Sequence, residues 1–118
     1  MFKSTILKIG ELVIDFKEEN LLVLFGKDAP PELADISLIH EPSVEENDVF
    51  KVDKTLQIGD DKYQIIKVGE EANPNFNDLG HVSIYFSDDN NTEILPGAIL
   101  VSPSIYPEFE LNEEISVF

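Results

Sequence analysis

The stretch that decides the fold is Leu79 to Phe86, which reads LGHVSIYF. After the glycine, apolar and polar side chains alternate, and a period of two is typical of a β-strand with one buried face. If Val82 and the two apolar residues that alternate with it face the core, then His81 and Ser83 face away from it. The stretch therefore predicts a strand that begins beside a histidine.

The rest of the chain repeats this pattern of short β-branched and aromatic runs separated by Gly, Pro, Asn and Asp. Leu12 to Phe16 alternates like a strand, Leu21 to Phe25 is apolar on both faces like a central strand, and Glu110 to Phe118 ends in a terminal strand. Only Pro31 to Asp35 carries a helix start signal, a proline followed by an acid. Because parallel neighbours usually need long helical crossovers, we expect a mainly β fold: a small antiparallel barrel-like domain with one short helix.

Two polar stretches are predicted to be connections between strands. Glu41 to Asp53 is rich in acids and interrupted by Pro42, and we expect a mobile, solvated loop there. Gly69 to Asp78 contains an Asn-Pro-Asn sequence and is predicted to be a long polar connection.

Length and charge limit the possible functions. The 118 residues support a single domain over 1–118, and 42% apolar residues are enough for a core. The formal net charge of −16 makes binding to nucleic acid or to an anionic membrane surface unfavourable. Cationic protein surfaces are the natural match for such a charge.

The residues missing from the sequence exclude further classes. Without cysteine there are no disulfides, thiolate nucleophiles or Cys-based zinc sites. No segment approaches the roughly 20 apolar residues of a membrane span, and the N-terminus lacks a signal-peptide pattern. Neither a Gly-rich phosphate loop nor a Gly-x-Ser-x-Gly elbow occurs. We therefore expect a protein of the cytoplasm, without membrane insertion and without a cofactor.

Two histidines, His40 and His81, are the side chains whose unperturbed pKa lies near neutrality. Both are expected at strand ends beside loops, where scaffolds tend to expose working residues. His40 alternates in phase with Leu38, which would turn it inward unless the strand ends or bulges there. Periodicity alone does not pair the two rings, and each could also be a hydrogen-bonded structural residue.

At these residues the sequence resembles the glucitol/sorbitol-specific IIA component of the bacterial sugar phosphotransferase system. The resemblance covers nearly the whole chain in order. Its pieces are Ala29-Pro30 with Glu32-Leu33, then Leu38-Ile39-His40, Val68-Gly69, the block Leu79 to Phe86, and Pro96-Gly97. Each piece is short, and the ordered set is what makes the match specific.

This resemblance implies a role and a site. Such a component accepts a phosphoryl group from the phosphocarrier HPr and passes it to the IIB domain of the IIB/IIC sugar permease. The phosphorylated histidine of the family matches His40, and His81 matches a second histidine with a supporting role. Neutral imidazole is a competent nucleophile near pH 7, and phosphoryl transfer depends mainly on positioning and electrostatics.

The charge is an objection to this role, because a chain at −16 must offset about two further negative charges locally. Backbone N–H groups near His40, together with His81 and Ser83, are the donors that the sequence offers to a phosphoryl group. Two alternatives stay open. One is a metal site built from both histidines and an acid such as Glu41, although no ligand spacing supports it. The other is a non-catalytic acidic interaction domain.

Overall fold

The alternating stretch forms a strand, as predicted, and it is one of eight. A computed structural model describes residues 1–118. The strands in chain order are β1 Phe2–Ile9, β2 Leu21–Gly26, β3 Ser37–Val44, β4 Thr55–Ile58, β5 Asp61–Val68, β6 Val82–Phe86, β7 Ala98–Ser102 and β8 Glu114–Val117.

The strands close into a barrel in the order β1-β3-β2-β6-β7-β5-β4-β8. Six of the eight neighbouring pairs are antiparallel, so the predicted mainly antiparallel barrel is confirmed. The pairs β2/β3 and β6/β7 are parallel. Segment 27–36 joins the first pair and contains the predicted short helix, α1, Pro31–Ala34. Segment 87–97 joins the second pair without a helix, so the expectation that parallel neighbours need a helical crossover is wrong here.

The barrel interior is filled by an apolar cluster of 21 buried residues. Strand β6 contributes Val82, Ile84 and Phe86, each at most 1% exposed, while the residues between them are half-buried. The alternation read from the sequence is therefore confirmed. Full burial of such a side chain stabilises the fold by about 1.5–3 kcal/mol.

Two segments differ from the sequence predictions. Residues Val13–Glu19 form a 3₁₀ helix rather than a strand, and only Val13 among them is buried, so the alternation there does not reflect a buried face. The predicted polar connection contains a second helix, α2, Ala72–Leu79. Pro74 lies in its first turn, where the missing N–H costs no intrahelical hydrogen bond.

The acidic stretch 41–53 is also more ordered than predicted, because β3 continues through Val44. Beyond it Val49 and Phe50 are buried at 0% and 2% exposure. The side chain of Asn73 in α2 accepts a hydrogen bond from Phe50 N at 2.8 Å and donates one to Phe50 O at 2.9 Å. This clamp fixes the segment against α2, so the interpretation as a mobile loop is wrong for these residues.

Candidate functional site

His40 lies on the inward face of β3, the position that its phase with Leu38 gives when the strand continues. Because β3 runs on to Val44, the expectation of an exposed histidine at a strand end is wrong for His40. Leu38 belongs to the core cluster, and His40 is 1% exposed. The strand therefore carries an ionisable ring among apolar side chains, at the barrel end where α2 packs. A buried polar ring is tolerated only where its nitrogen atoms find partners.

Both ring nitrogens of His40 are hydrogen-bonded. Nε2 lies 2.8 Å from the carbonyl oxygen of Gly80, and Nδ1 lies 2.6 Å from Oγ of Ser4. A carbonyl oxygen only accepts, so the pairing assigns the proton of the neutral ring to Nε2. The lone pair is then on Nδ1, where it accepts from the Ser4 hydroxyl.

Two glycines bring the Gly80 carbonyl within reach of His40. Gly80 ends α2 with a φ of 67°, in the left-handed region that favours glycine. A Cβ on Gly80 would lie 2.9 Å from Gly26 N and 3.2 Å from His40 Nε2, and a Cβ on Gly26 would lie 2.7 Å from Leu79 O. Only a pair of glycines allows α2 to end this close to β2.

Helix α2 also covers the ring of His40. Phe76 stacks on it with a centroid distance of 5.4 Å and an interplanar angle of 13°. The same phenyl ring makes edge contacts with Phe2 and Phe50 at 5.3 and 4.7 Å. Burial lowers the pKa of His40, and the hydrogen bond to the Gly80 carbonyl opposes this in part. The ring is therefore held neutral near pH 7.

A groove of about 390 Å³ opens at this end of the barrel. Its lining includes His40, the residues that end β2, the segment that follows His40, and the C-terminal half of α2. At its rim the ammonium group of Lys27 donates to a carboxylate oxygen of Glu41 at 2.6 Å. This ion pair raises the pKa of Lys27.

The sheet is irregular on both sides of the His40–Ser4 contact. The β1/β3 register shifts between Lys3 and Ser4 and again between Ile6 and Lys8. Pro42, opposite Ser4, has no N–H to donate to the ladder. The pairing of β1 with β3 is therefore locally irregular beside His40.

The other two predicted site residues lie outside the groove. Nδ1 of His81 donates to the carbonyl of Leu24 at 3.1 Å, and its ring stacks on Phe25 at 4.6 Å. Ser83 alternates with the buried residues of β6 and is half-buried. The structure thus brings the backbone just before His81 to His40, but it does not bring together the two rings. No group of three His, Asp or Glu side chains is placed to hold a metal ion.

Four residues around His40 were not singled out from the sequence: Ser4, Gly26, Lys27 and Phe76. The sequence does indicate that Ser4 is buried, since it alternates in phase with the apolar Phe2 and Ile6 on β1. A buried serine hydroxyl needs a hydrogen-bond partner inside the barrel. Gly26 and Lys27 become neighbours of His40 only through the parallel pairing of β2 with β3.

The chain as a whole has known counterparts. Residues 1–116 match the family described as the PTS system glucitol/sorbitol-specific IIA component. The chain belongs to this family. It is therefore a component of a sugar phosphotransferase system, which agrees with the resemblance seen in the sequence.

Curated relatives and a solved structure agree with the family. The glucitol/sorbitol-specific EIIA component of Escherichia coli (strain K12) is 29% identical over 102 residues, covering 86% of this chain and 81% of the relative. The corresponding component of Shigella flexneri is 28% identical over the same shares. The crystal structure of a PTS system IIA component from Enterococcus faecalis V583 superposes with a TM-score of 0.83 at 26% identity, covering 97% of each chain. No helix of this family member has the length and apolar character to cross a membrane.

Proposed function

We propose that this protein carries a phosphoryl group on His40, accepting it from HPr and passing it to the IIB domain of a glucitol/sorbitol permease. One observation carries the proposal: a neutral imidazole lines a groove with its Nε2–H held by a backbone carbonyl, which leaves a lone pair on Nδ1. A carrier needs such a ring more than it needs a large substrate pocket. The setting is the cytoplasm, where HPr is expected.

The fixed tautomer assigns the attack to Nδ1. Its lone pair forms a bond to phosphorus as the N–P bond of the donor phosphohistidine breaks, and that electron pair stays on the donor nitrogen. His40 keeps its proton on Nε2, so no proton crosses the interface. The ring becomes cationic as the bond forms, and the Gly80 carbonyl at 2.8 Å stabilises that charge.

Access to Nδ1 requires a local opening, because Ser4 is fully buried and its hydroxyl occupies the lone pair. That hydroxyl is released by rotation about a single bond. The β1/β3 seam beside it has two register shifts and a proline, and we propose that the opening occurs at this irregularity. We infer that a docked partner reaches His40 through the groove with this seam open.

His81 takes a supporting role in this proposal. Its hydrogen bond to Leu24 O fastens the chain directly after Gly80 onto β2, and so holds the carbonyl that fixes His40. Ser83 lies outside the groove, and we assign it no part in binding the phosphoryl group in this arrangement.

The decisive experiment incubates the protein with HPr, its kinase and phosphoenolpyruvate, followed by intact mass measurement. We expect one acid-labile phosphoryl group on the wild type, none on His40→Gln, and slower labelling of His81→Gln. Circular dichroism establishes that both variants are folded. An unlabelled wild type contradicts the carrier and favours a non-catalytic interaction domain. A labelled His40→Gln overturns His40 as the acceptor and assigns the phosphoryl group to another residue.

The labelled nitrogen tests the tautomer argument separately. Nitrogen-15 NMR of the phosphorylated protein distinguishes phosphorus on Nδ1 from phosphorus on Nε2. A label on Nε2 would leave the carrier function intact but overturn the assignment of the Gly80 carbonyl as the fixed acceptor during transfer.

A further inference from the structure

The charges that line the His40 groove are unbalanced. One lysine, Lys27, lines it, and no arginine does. Against it stand five acids, which are Asp28, Glu41, Glu45, Glu46 and Asp78. A phosphoryl group adds roughly two negative charges to this already anionic surface. Of these acids, Glu46 is already paired with the Met1 ammonium group and with Lys54. The remaining repulsion must be offset by backbone N–H groups or by a cation, and Lys27 is the lysine that lines the groove.

Lys27 lines the same groove as His40 and directly follows the end of β2. Gly26 lies opposite His40 in the parallel β2/β3 ladder, so the next residues on the two strands are Lys27 and Glu41. The 2.6 Å contact between their side chains confirms that the segments continuing from β2 and β3 stay adjacent past the last ladder pair. Lys27 is thus one position beyond the residue that faces His40.

We propose that Lys27 binds the phosphoryl group on His40 and exchanges its ion pair with Glu41 to do so. The inference rests on the proposed function and names the electrostatic partner that this function requires. A phosphoryl group carries more negative charge than a carboxylate and offers three strong acceptor oxygens. The lysine side chain is more than half exposed and flexible, so changing partners meets little steric resistance.

Glu41 has the opposite effect in this arrangement. It competes with the phosphoryl group for the same ammonium, and its own charge repels the phosphorylated ring. Release of the phosphoryl group to the next acceptor restores the Lys27–Glu41 pair. The pair therefore favours transfer onward, while Lys27 by itself favours acceptance.

The test compares rates and equilibrium levels of labelling by phosphorylated HPr in matched variants. We expect Lys27→Met to slow labelling about 10-fold, less than the 10² typical of a buried oxyanion donor, and Lys27→Arg to stay within about 3-fold of the wild type. Lys62→Met is the control, since this lysine is exposed on β5 away from the groove. We expect it to match the wild type.

A double-mutant cycle isolates the exchange itself. Glu41→Gln should raise the labelled fraction at equilibrium when Lys27 is present, and it should raise it much less in the Lys27→Met background. Equal effects of Glu41→Gln in both backgrounds would show two independent charges and overturn the exchange.

The experiments distinguish a failure of the Lys27 proposal from a failure of the carrier function. If the wild type is labelled and Lys27→Met behaves like Lys62→Met, the role of Lys27 is wrong and the carrier function stands. If the wild type itself takes up no phosphoryl group, the carrier function fails and the role of Lys27 fails with it.

Discussion

Replacing Gly80 by alanine tests how the site is built. The new methyl group meets three atoms: Gly26 N at 2.9 Å, Gly26 Cα at 3.0 Å and His40 Nε2 at 3.2 Å. Two of the three belong to backbone, so they cannot swing aside as a flexible side chain would. The residue must also hold a φ of 67°, which costs an L-amino acid roughly 1–2 kcal/mol.

The magnitude follows from these terms. If the chain shifts to relieve the contacts, the Gly80 carbonyl leaves His40 and a buried Nε2–H loses its acceptor, at a cost of about 1–3 kcal/mol. Together with the backbone term, Gly80→Ala should lower the free energy of unfolding by about 2–5 kcal/mol. At about 4 °C per kcal/mol for a domain of this size, Tm falls by roughly 8–20 °C.

The assay is urea unfolding, with Gly97→Ala as the matched control. Gly97 has no positive φ, and a Cβ there meets only the side-chain amide of Asn75, at 3.2 Å. We expect that control to lie within about 1 kcal/mol of the wild type. If Gly80→Ala is equally mild and the ring resonances of His40 do not move, the close approach of α2 to β2 does not position His40.

Three further predictions concern the surroundings of His40. Ser4→Ala should lower the free energy of unfolding in urea by about 1–3 kcal/mol, because buried Nδ1 loses its donor. The folded variant should still take up the phosphoryl group. Loss of labelling would contradict Nδ1 as the attacking atom. Phe76→Ala should lower the free energy of unfolding by about 3–5 kcal/mol. It should also move the pKa of His40, measured by NMR, back up toward 6.5. An unchanged pKa would mean that Phe76 does not bury the ring. Because burial lowers the pKa of His40 in the folded state, the unfolded chain binds the proton more readily, so the stability from this group is complete above about pH 6.5 and declines as the pH falls below it. Urea unfolding at pH 7.5 and 5.5 should show a larger loss of stability for the wild type than for His40→Gln. Equal losses would show that protonation of His40 is not coupled to folding.

Much of the barrel could be predicted from the period of its side chains. The alternation in 82–86 and the apolar run 21–25 describe strands whose burial is decided locally, by which residues share a face. The inward position of His40 follows from the same rule. In the loop-like stretches the rule fails: α2 carries Ala72, Phe76 and Leu79 at helical spacing, but the Asn-Pro-Asn sequence between them favours a connection. The helix is held by Phe76 among aromatic rings and by Asn73 on the backbone of Phe50. Such tertiary contacts leave no periodic trace in the sequence.

The hydrogen-bond and groove partners of His40 could not be predicted from the sequence, for a different reason. Ser4 and Gly80 reach it from β1 and from the end of α2, and Gly26 lies opposite it on β2, at separations that only the closed barrel defines. The sequence offered His81, through the family resemblance, and Ser83, in the same block, as donors that could offset the charge of a phosphoryl group. Strand alternation already placed those two side chains on the face away from the core, and the barrel keeps them outside the groove.

Burial of His40 and its proposed reactivity are compatible, because the same contacts produce both. The Gly80 carbonyl that helps close the ring off from water also fixes its proton on Nε2, and the apolar surroundings that lower its pKa keep it neutral and nucleophilic. What burial adds is a barrier to entry, which we propose a partner crosses at the irregular β1/β3 seam beside Pro42. An exposed histidine would be easier to reach but would lack a fixed tautomer. A site that opens locally on docking retains the tautomer and limits the exposure of a labile N–P bond to water.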